Sequence, residues 1–177
     1  MNKKFTYIFV FLICIFINTT AIAKSNEAKI GYQQVKVNGL TSNIVTYNIS
    51  GENYYRIRDI AFALRNTNKK FNVNYNVKNN EIYLISGENY SSKDDFVIYD
   101  DIALANAFTG SILLDKEVLD LNSYHIKGYN YYKLNDIAKI LNFNIKYEGV
   151  NKLVVINTSE GYSIERNKVS ILIDEFN

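Results

Sequence analysis

The chain has no proline and no tryptophan, and it carries one histidine, His125, and one cysteine, Cys14. A lone imidazole cannot supply the three or four nitrogen or sulfur ligands of a tight zinc or copper site. No metal and no cofactor is therefore expected. Ser-His-Asp and Cys-His nucleophilic catalysis fail on the same count, because Cys14 falls in a leader and the first half of the chain has no histidine. Charge of one sign is also missing. Twenty basic residues face eighteen acidic ones, and two of the lysines, Lys3 and Lys4, lie in the leader, so the remainder is formally neutral. A neutral chain has no bulk electrostatic reason to bind nucleic acid or anionic lipid.

The leader is read from MNKKFTYIFVFLICIFINTTAIAK: two lysines, an apolar run over residues 5–17, then Ala21 and Ala23. These are the three parts of a secretory signal. The run is shorter than the roughly 20 residues of a spanning helix. Cleavage after Ala23 is expected, with Cys14 discarded as one more apolar residue, leaving a secreted or cell-surface protein with no membrane contact. No disulfide can then staple the exported chain. Asparagine, isoleucine, lysine and tyrosine abound, as in products of AT-rich genomes, which points to a low-GC Gram-positive source.

What the chain does have is a repeat. GENYYRIRDIA at residues 51–61 returns seventy-seven positions later as GYNYYKLNDIA. Residues 47–64 match residues 124–141 at ten of eighteen positions, after which the first copy is five residues longer. In each copy a strand (34–37; 111–114) reaches a turn, Asn38-Gly39 or Asp115-Lys116. A second strand runs to Ile49 or Ile126, and the turns Ser50-Gly51 and Lys127-Gly128 lead through paired tyrosines into a helix. Ile57, Ile60, Ala61 and Leu64, like Leu134, Ile137, Ala138 and Leu141, fall at helical spacing and make one apolar face. Asp59 and Asp136 sit in the first turn, where the helix dipole favours a carboxylate. Two strands close each copy, 71–75 with 81–86 and 144–147 with 152–157.

This order has no regular βα alternation. The fold class expected is α+β: two tandem units, each an antiparallel sheet packed around one short helix. The units are placed at residues 30–90 and 111–162, joined by a connecting segment, 91–110, in which residues 96–99 read as a strand and 101–108 as a short helix. Ser170 to Asp174 echo Ser111 to Asp115. The tail, 163–177, is therefore expected to add a strand, to the second sheet or to another molecule.

The motif Y-N-I-x-G-x-N-Y-Y-[RK]-[IL]-x-D-I-A-x-x-L, followed by a final apolar hairpin, resembles the copper amine oxidase N-terminal-like domain, or stalk domain, in two copies over residues 30–162. The resemblance implies a non-catalytic, exported cell-envelope role and a sheet curled around a helix. Three departures stand out. Tyr55 and Tyr132 replace a usual phenylalanine, Tyr75 and Tyr147 stand where tryptophan is frequent, and Asn135 replaces the arginine found at Arg58.

Fifteen tyrosines supply rings for sugar stacking or partner packing. On a strand, neighbouring side chains point to opposite faces. If Tyr55 and Tyr132 take the phenylalanine's place in the core, Tyr54 and Tyr131 face outward as the candidate ligand surface. His125 aligns with Asn48 and reads as a turn or surface residue. The expected function is a non-catalytic exported tandem module binding a cell-wall polymer or a protein. The alternative is an extracellular polysaccharide hydrolase using a carboxylate pair, drawn from Asp94-Asp95, Asp100-Asp101, or Asp115 with Glu117.

Overall fold

Four two-residue turns set the local structure. Asn38-Gly39, Ser50-Gly51, Asp115-Lys116 and Lys127-Gly128 all have positive φ at both positions, the geometry that matches the twist of a tight hairpin. Around them a computed structural model describes residues 26–90, 97–149 and 152–163. The expected leader, Asp94-Asp95, and the tail beyond Ser163 lie outside the described residues.

The first copy runs β1 (Asn26–Val37), β2 (Leu40–Ile49), β3 (Glu52–Arg56), α1 (Ile57–Leu64), β4 (Phe71–Asn76) and β5 (Glu81–Ser86). The second runs β6 (Ile102–Ala107), β7 (Ser111–Leu114), β8 (Glu117–Leu119), β9 (Ser123–Ile126), β10 (Tyr129–Lys133), α2 (Leu134–Leu141), β11 (Asn144–Glu148) and β12 (Leu153–Asn157). The registers make β6 and β7 together the counterpart of β1. Lys29 pairs with Asn48 as Asn106 pairs with His125, and Val35 with Ser42 as Ile112 with Leu119. The strand that is continuous in the first copy is broken in the second at Gly110. A Cβ there would come within 2.0 Å of the Asn80 carbonyl oxygen, so only glycine fits.

The expectation of two sheet-plus-helix units is overturned. Among the described residues strands hold 55% and helices 12%, and six strands close into one antiparallel barrel shared by both copies. Its order is β1-β2-β3-β10-β9-β6, closed by pairing of β6 back onto β1. The cause is edge satisfaction. Three strands of one copy leave two open edges with unpaired backbone groups, and the other copy covers both. At each seam equivalent residues meet, Tyr55 opposite Tyr132 and Glu27 opposite Leu104. A pseudo-twofold axis therefore crosses the barrel through both seams.

The final hairpins are exchanged as well. β5 of the first copy runs parallel to β7 of the second, with Ile82 opposite Ile112. β12 of the second runs parallel to β1 of the first, with Val154 opposite Val35. The result is an eight-stranded sheet containing the barrel and a separate four-stranded sheet, β4-β5-β7-β8. The edge of β12 that a third copy's first strand would use is occupied by β1.

The segment expected to connect two units instead supplies β6, and the helix expected at 101–108 is this strand. Its alternation is period two: Ala103 and Ala105 are buried, while Ile102 and Leu104 are exposed. Pairing with β1 and β9 overrides the helix-forming bias of Ala and Leu. Val97, Ile98 and Tyr99 belong to neither strand nor helix.

Two cores result. Inside the barrel pack Ala28, Tyr47, Ile49, Tyr54, Ala103, Ala105, Ile126 and Tyr131. Outside it, the opposite face of the β3–β10 seam, carrying Tyr55 and Tyr132, is covered by α1, α2 and the exchanged hairpins. The eight-residue helices are too short to be stable alone. They are held by the two apolar stripes read from the sequence, all eight residues of which are buried.

Candidate ligand pockets at the copy seams

β3 and β10 are covered on both faces, and this decides where the paired tyrosines go. Tyr55 and Tyr132 enter the outer core as expected, but Tyr54 and Tyr131 do not face solvent. They are 5% and 1% exposed inside the barrel, which corrects their reading as a ligand surface. The argument from alternation was sound about opposite faces. It assumed that one face was free.

The barrel interior is packed by rings in twofold-related pairs. Tyr47 meets Tyr131 edge-on at 5.4 Å and Tyr54 meets Tyr124 at 5.0 Å, the arrangement that ring quadrupoles favour. Small residues opposite, Ala28, Ala103 and Ala105, make the room. The Tyr47 hydroxyl donates to the Asp100 carbonyl at 3.1 Å. Burial raises the pKa values of Tyr47, Tyr54, Tyr55 and Tyr131, and pushes Tyr132 up to about 12.

The next inward position on each strand carries a cation. Arg56 is buried, pairs with Asp59 through Nε at 3.0 Å and lies 4.9 Å from the centre of the Tyr129 ring. Burial pulls its pKa down, but the Asp59 carboxylate more than offsets this and the net shift is upward. Its counterpart Lys133 pairs with Glu52 at 2.5 Å and lies over the Tyr54 ring. Asp59 thus neutralises a buried guanidinium. Asp136 has a pKa raised by burial, against the pull of Lys133 and Lys139.

Two surface pockets flank this seam, and the pseudo-twofold relates them. The first, about 170 Å³, takes Arg56, Arg58 and Tyr75 from the first copy and His125, Tyr129 and Asn130 from the second. The second, about 250 Å³, takes Lys133, Asn135 and Tyr147 from the second copy and Glu52 and Asn53 from the first. Each is built by the hairpin tip of one copy and the helix start and final hairpin of the other. Neither copy has a pocket of this kind by itself. A third depression, about 420 Å³, is lined by Lys69, Lys70 and Asp115 where the first copy is longer.

Tyr75 and Tyr147, 47% and 40% exposed, are the rings at the pocket mouths. Tyr75 shares a strand face with buried Phe71 and Val73 but stands one step beyond the helix cover. The signal in the sequence was a tyrosine kept at that position in both copies. His125 is a pocket wall. Its Nδ1 lies 3.0 Å from Asn130 Oδ1, as Asn48 Nδ2 donates to Asn53 Oδ1 at 2.9 Å in the other copy.

Of the carboxylates weighed as acid/base pairs, Asp94-Asp95 lies outside the described residues, while Asp100 and Asp115 have partners in the fold. Asp100 pairs with Lys127, and Asp115 Oδ1 accepts from the Ser86 amide at 2.9 Å. Among the described residues no three His, Cys, Asp or Glu side chains group as metal ligands, and no helix is long and apolar enough to cross a membrane. No family model matches the chain, and neither a curated protein nor a solved structure matches it.

Proposed function

We propose that this chain is a non-catalytic, exported module that binds a cell-wall polymer or an envelope protein, and that its copies are divergent stalk-type units fused into one body. The observation that carries the reading is the pair of open pockets at the copy seams, each with a partly exposed tyrosine at its mouth. An amphipathic ring beside apolar and polar side chains is a common way to hold sugars and peptide segments. The seam positions make the pockets properties of the fused fold, so duplication creates binding sites that a single copy lacks.

The test is sedimentation of the chain from residue 24 onward with purified Gram-positive cell walls. Wild-type protein is expected to co-sediment, and Tyr75→Ala/Tyr147→Ala to remain in the supernatant with an unchanged melting curve. Full retention of the double variant would overturn the use of these pockets. Absence of retention by the wild type would exclude the wall polymer and leave a protein as the partner.

A further inference from the structure

We propose that the pocket between Arg58, Tyr75 and His125 is a subsite for a single sugar residue bearing a carboxylate. The inference rests on the binding-module reading and names the ligand class of one of its two pockets.

Size comes first. A cavity of about 170 Å³ is below the usual range of drug-sized sites, about 300 Å³ and upward, and suits one ring. Its floor is apolar, from Ile57, Val73 and Ile82, which fits the C–H face of a pyranose.

The walls are held in place before any ligand arrives. The Tyr75 hydroxyl donates to Asn80 Oδ1 at 2.9 Å, which fixes a ring that would otherwise swing in solvent. The Tyr129 ring lies against the Arg56 guanidinium. The His125–Asn130 contact orients both side chains, leaving the imidazole Nε2 and the Asn130 amide for sugar hydroxyls. Pre-set walls lower the ordering cost of binding.

Charge then selects the ligand. Arg56 is neutralised by Asp59, whereas Arg58 makes no salt bridge among the described residues. A guanidinium presents a planar fork that matches a carboxylate through two parallel hydrogen bonds. The twofold-related pocket is the internal control. Asn135 stands at Arg58's place and Glu52 at Tyr129's, with Glu52 tied to Lys133. The remaining cation of that wall is Lys146, a point charge without the planar fork, so two-pronged recognition of a carboxylate is confined to the Arg58 pocket.

The experiment is an NMR titration of the chain from residue 24 onward with D-glucuronate and with N-acetylmuramic acid, against D-glucose at equal ionic strength. At least one acidic probe is expected to shift Gly128, His125 and Asn130 and to bind about tenfold more tightly than glucose. Arg58→Asn is expected to abolish that preference without changing the melting curve, and Arg58→Lys to restore part of it. Binding of neither acidic probe, equal binding of glucose, an unaffected Arg58→Asn variant, or shifts confined to the Asn53–Asn135 pocket would each overturn the proposal. Wall sedimentation is scored separately. Arg58 substitution without loss of retention, together with no binding of either acid, removes the sugar assignment and leaves the binding-module reading intact. Probe binding without wall retention keeps the subsite and excludes the wall polymer as the source of its sugar.

Discussion

Tyr55 and Tyr132, the same residue of the two sequence copies, lie directly opposite each other across the β3–β10 seam. Both are buried in the outer core, while their neighbours Tyr54 and Tyr131 fill the barrel. One strand pair thus joins the copies and separates two cores.

Truncating a barrel ring is expected to be a stability lesion. Tyr131→Ala empties a fully enclosed site beside Tyr47 and is expected to cost about 4 kcal/mol, read as a lower urea midpoint with an unchanged m-value. Tyr75→Ala, at a half-exposed ring, is expected to cost about 0.5 kcal/mol or less.

Alkali is expected to unfold the protein steeply. Tyr132 is held up to about 12 against an ordinary 10.0, and Tyr47, Tyr54, Tyr55 and Tyr131 are raised with it. Above pH 10.0 the unfolded chain releases protons that the folded chain retains, so it binds fewer and stability falls as pH rises. The contribution is complete below the ordinary value and is lost through the raised one. The tyrosinate absorbance of these five rings is expected to rise together with loss of circular dichroism, not before it.

The two helix-start aspartates are expected to respond in opposite directions. Asp59→Asn leaves the Arg56 guanidinium buried without a counter-ion and is expected to cost about 3 kcal/mol. Asp136 has a raised pKa, so its charged form is disfavoured in the fold, and the residue is best tolerated at low pH, where it is protonated. Asp136→Asn is expected to hold or raise the melting temperature at neutral pH.

Turn chemistry offers a stabilising change. Lys116 has φ 77°, a conformation that Gly39 supplies at the equivalent turn position in the first copy. Lys116→Gly is expected to gain about 1 kcal/mol, measured by denaturant titration.

Exchange of hairpins predicts how fragments behave. Residues 26–90 alone leave β1, β3 and β5 without their partners β6, β10 and β7. They are expected to show no cooperative monomeric transition. Cleavage between Tyr90 and Val97 is expected to leave the two halves co-eluting on gel filtration at the size of the intact chain.

Much of the local structure was legible in the sequence. The four turns, both helix stripes and the final hairpins follow from short-range rules: positive-φ residues at tight turns, helical spacing, and apolar strands bounded by polar residues. The long-range pairing was not. A repeat read as a self-contained unit assigns its strand edges to itself, and no local rule says that Tyr55 meets Tyr132. The same assumption put Tyr54 and Tyr131 on a free face. β6 was read as a helix because IALANAF is rich in residues that favour one, while the small inward alanines that the barrel rings require look no different from helix formers. Arg58 and Asn135 were visible as a departure between copies, but the pocket that gives the difference meaning exists only after the copies interlock.

The exchange of hairpins also restricts how such a chain can grow. Each copy's last strand lies beside the other copy's first, and after two copies no such position remains. A solenoid lengthens by one module at a time. A gene built on this plan gains modules two by two, and a lineage that lost one copy would have to restore the missing half by self-association.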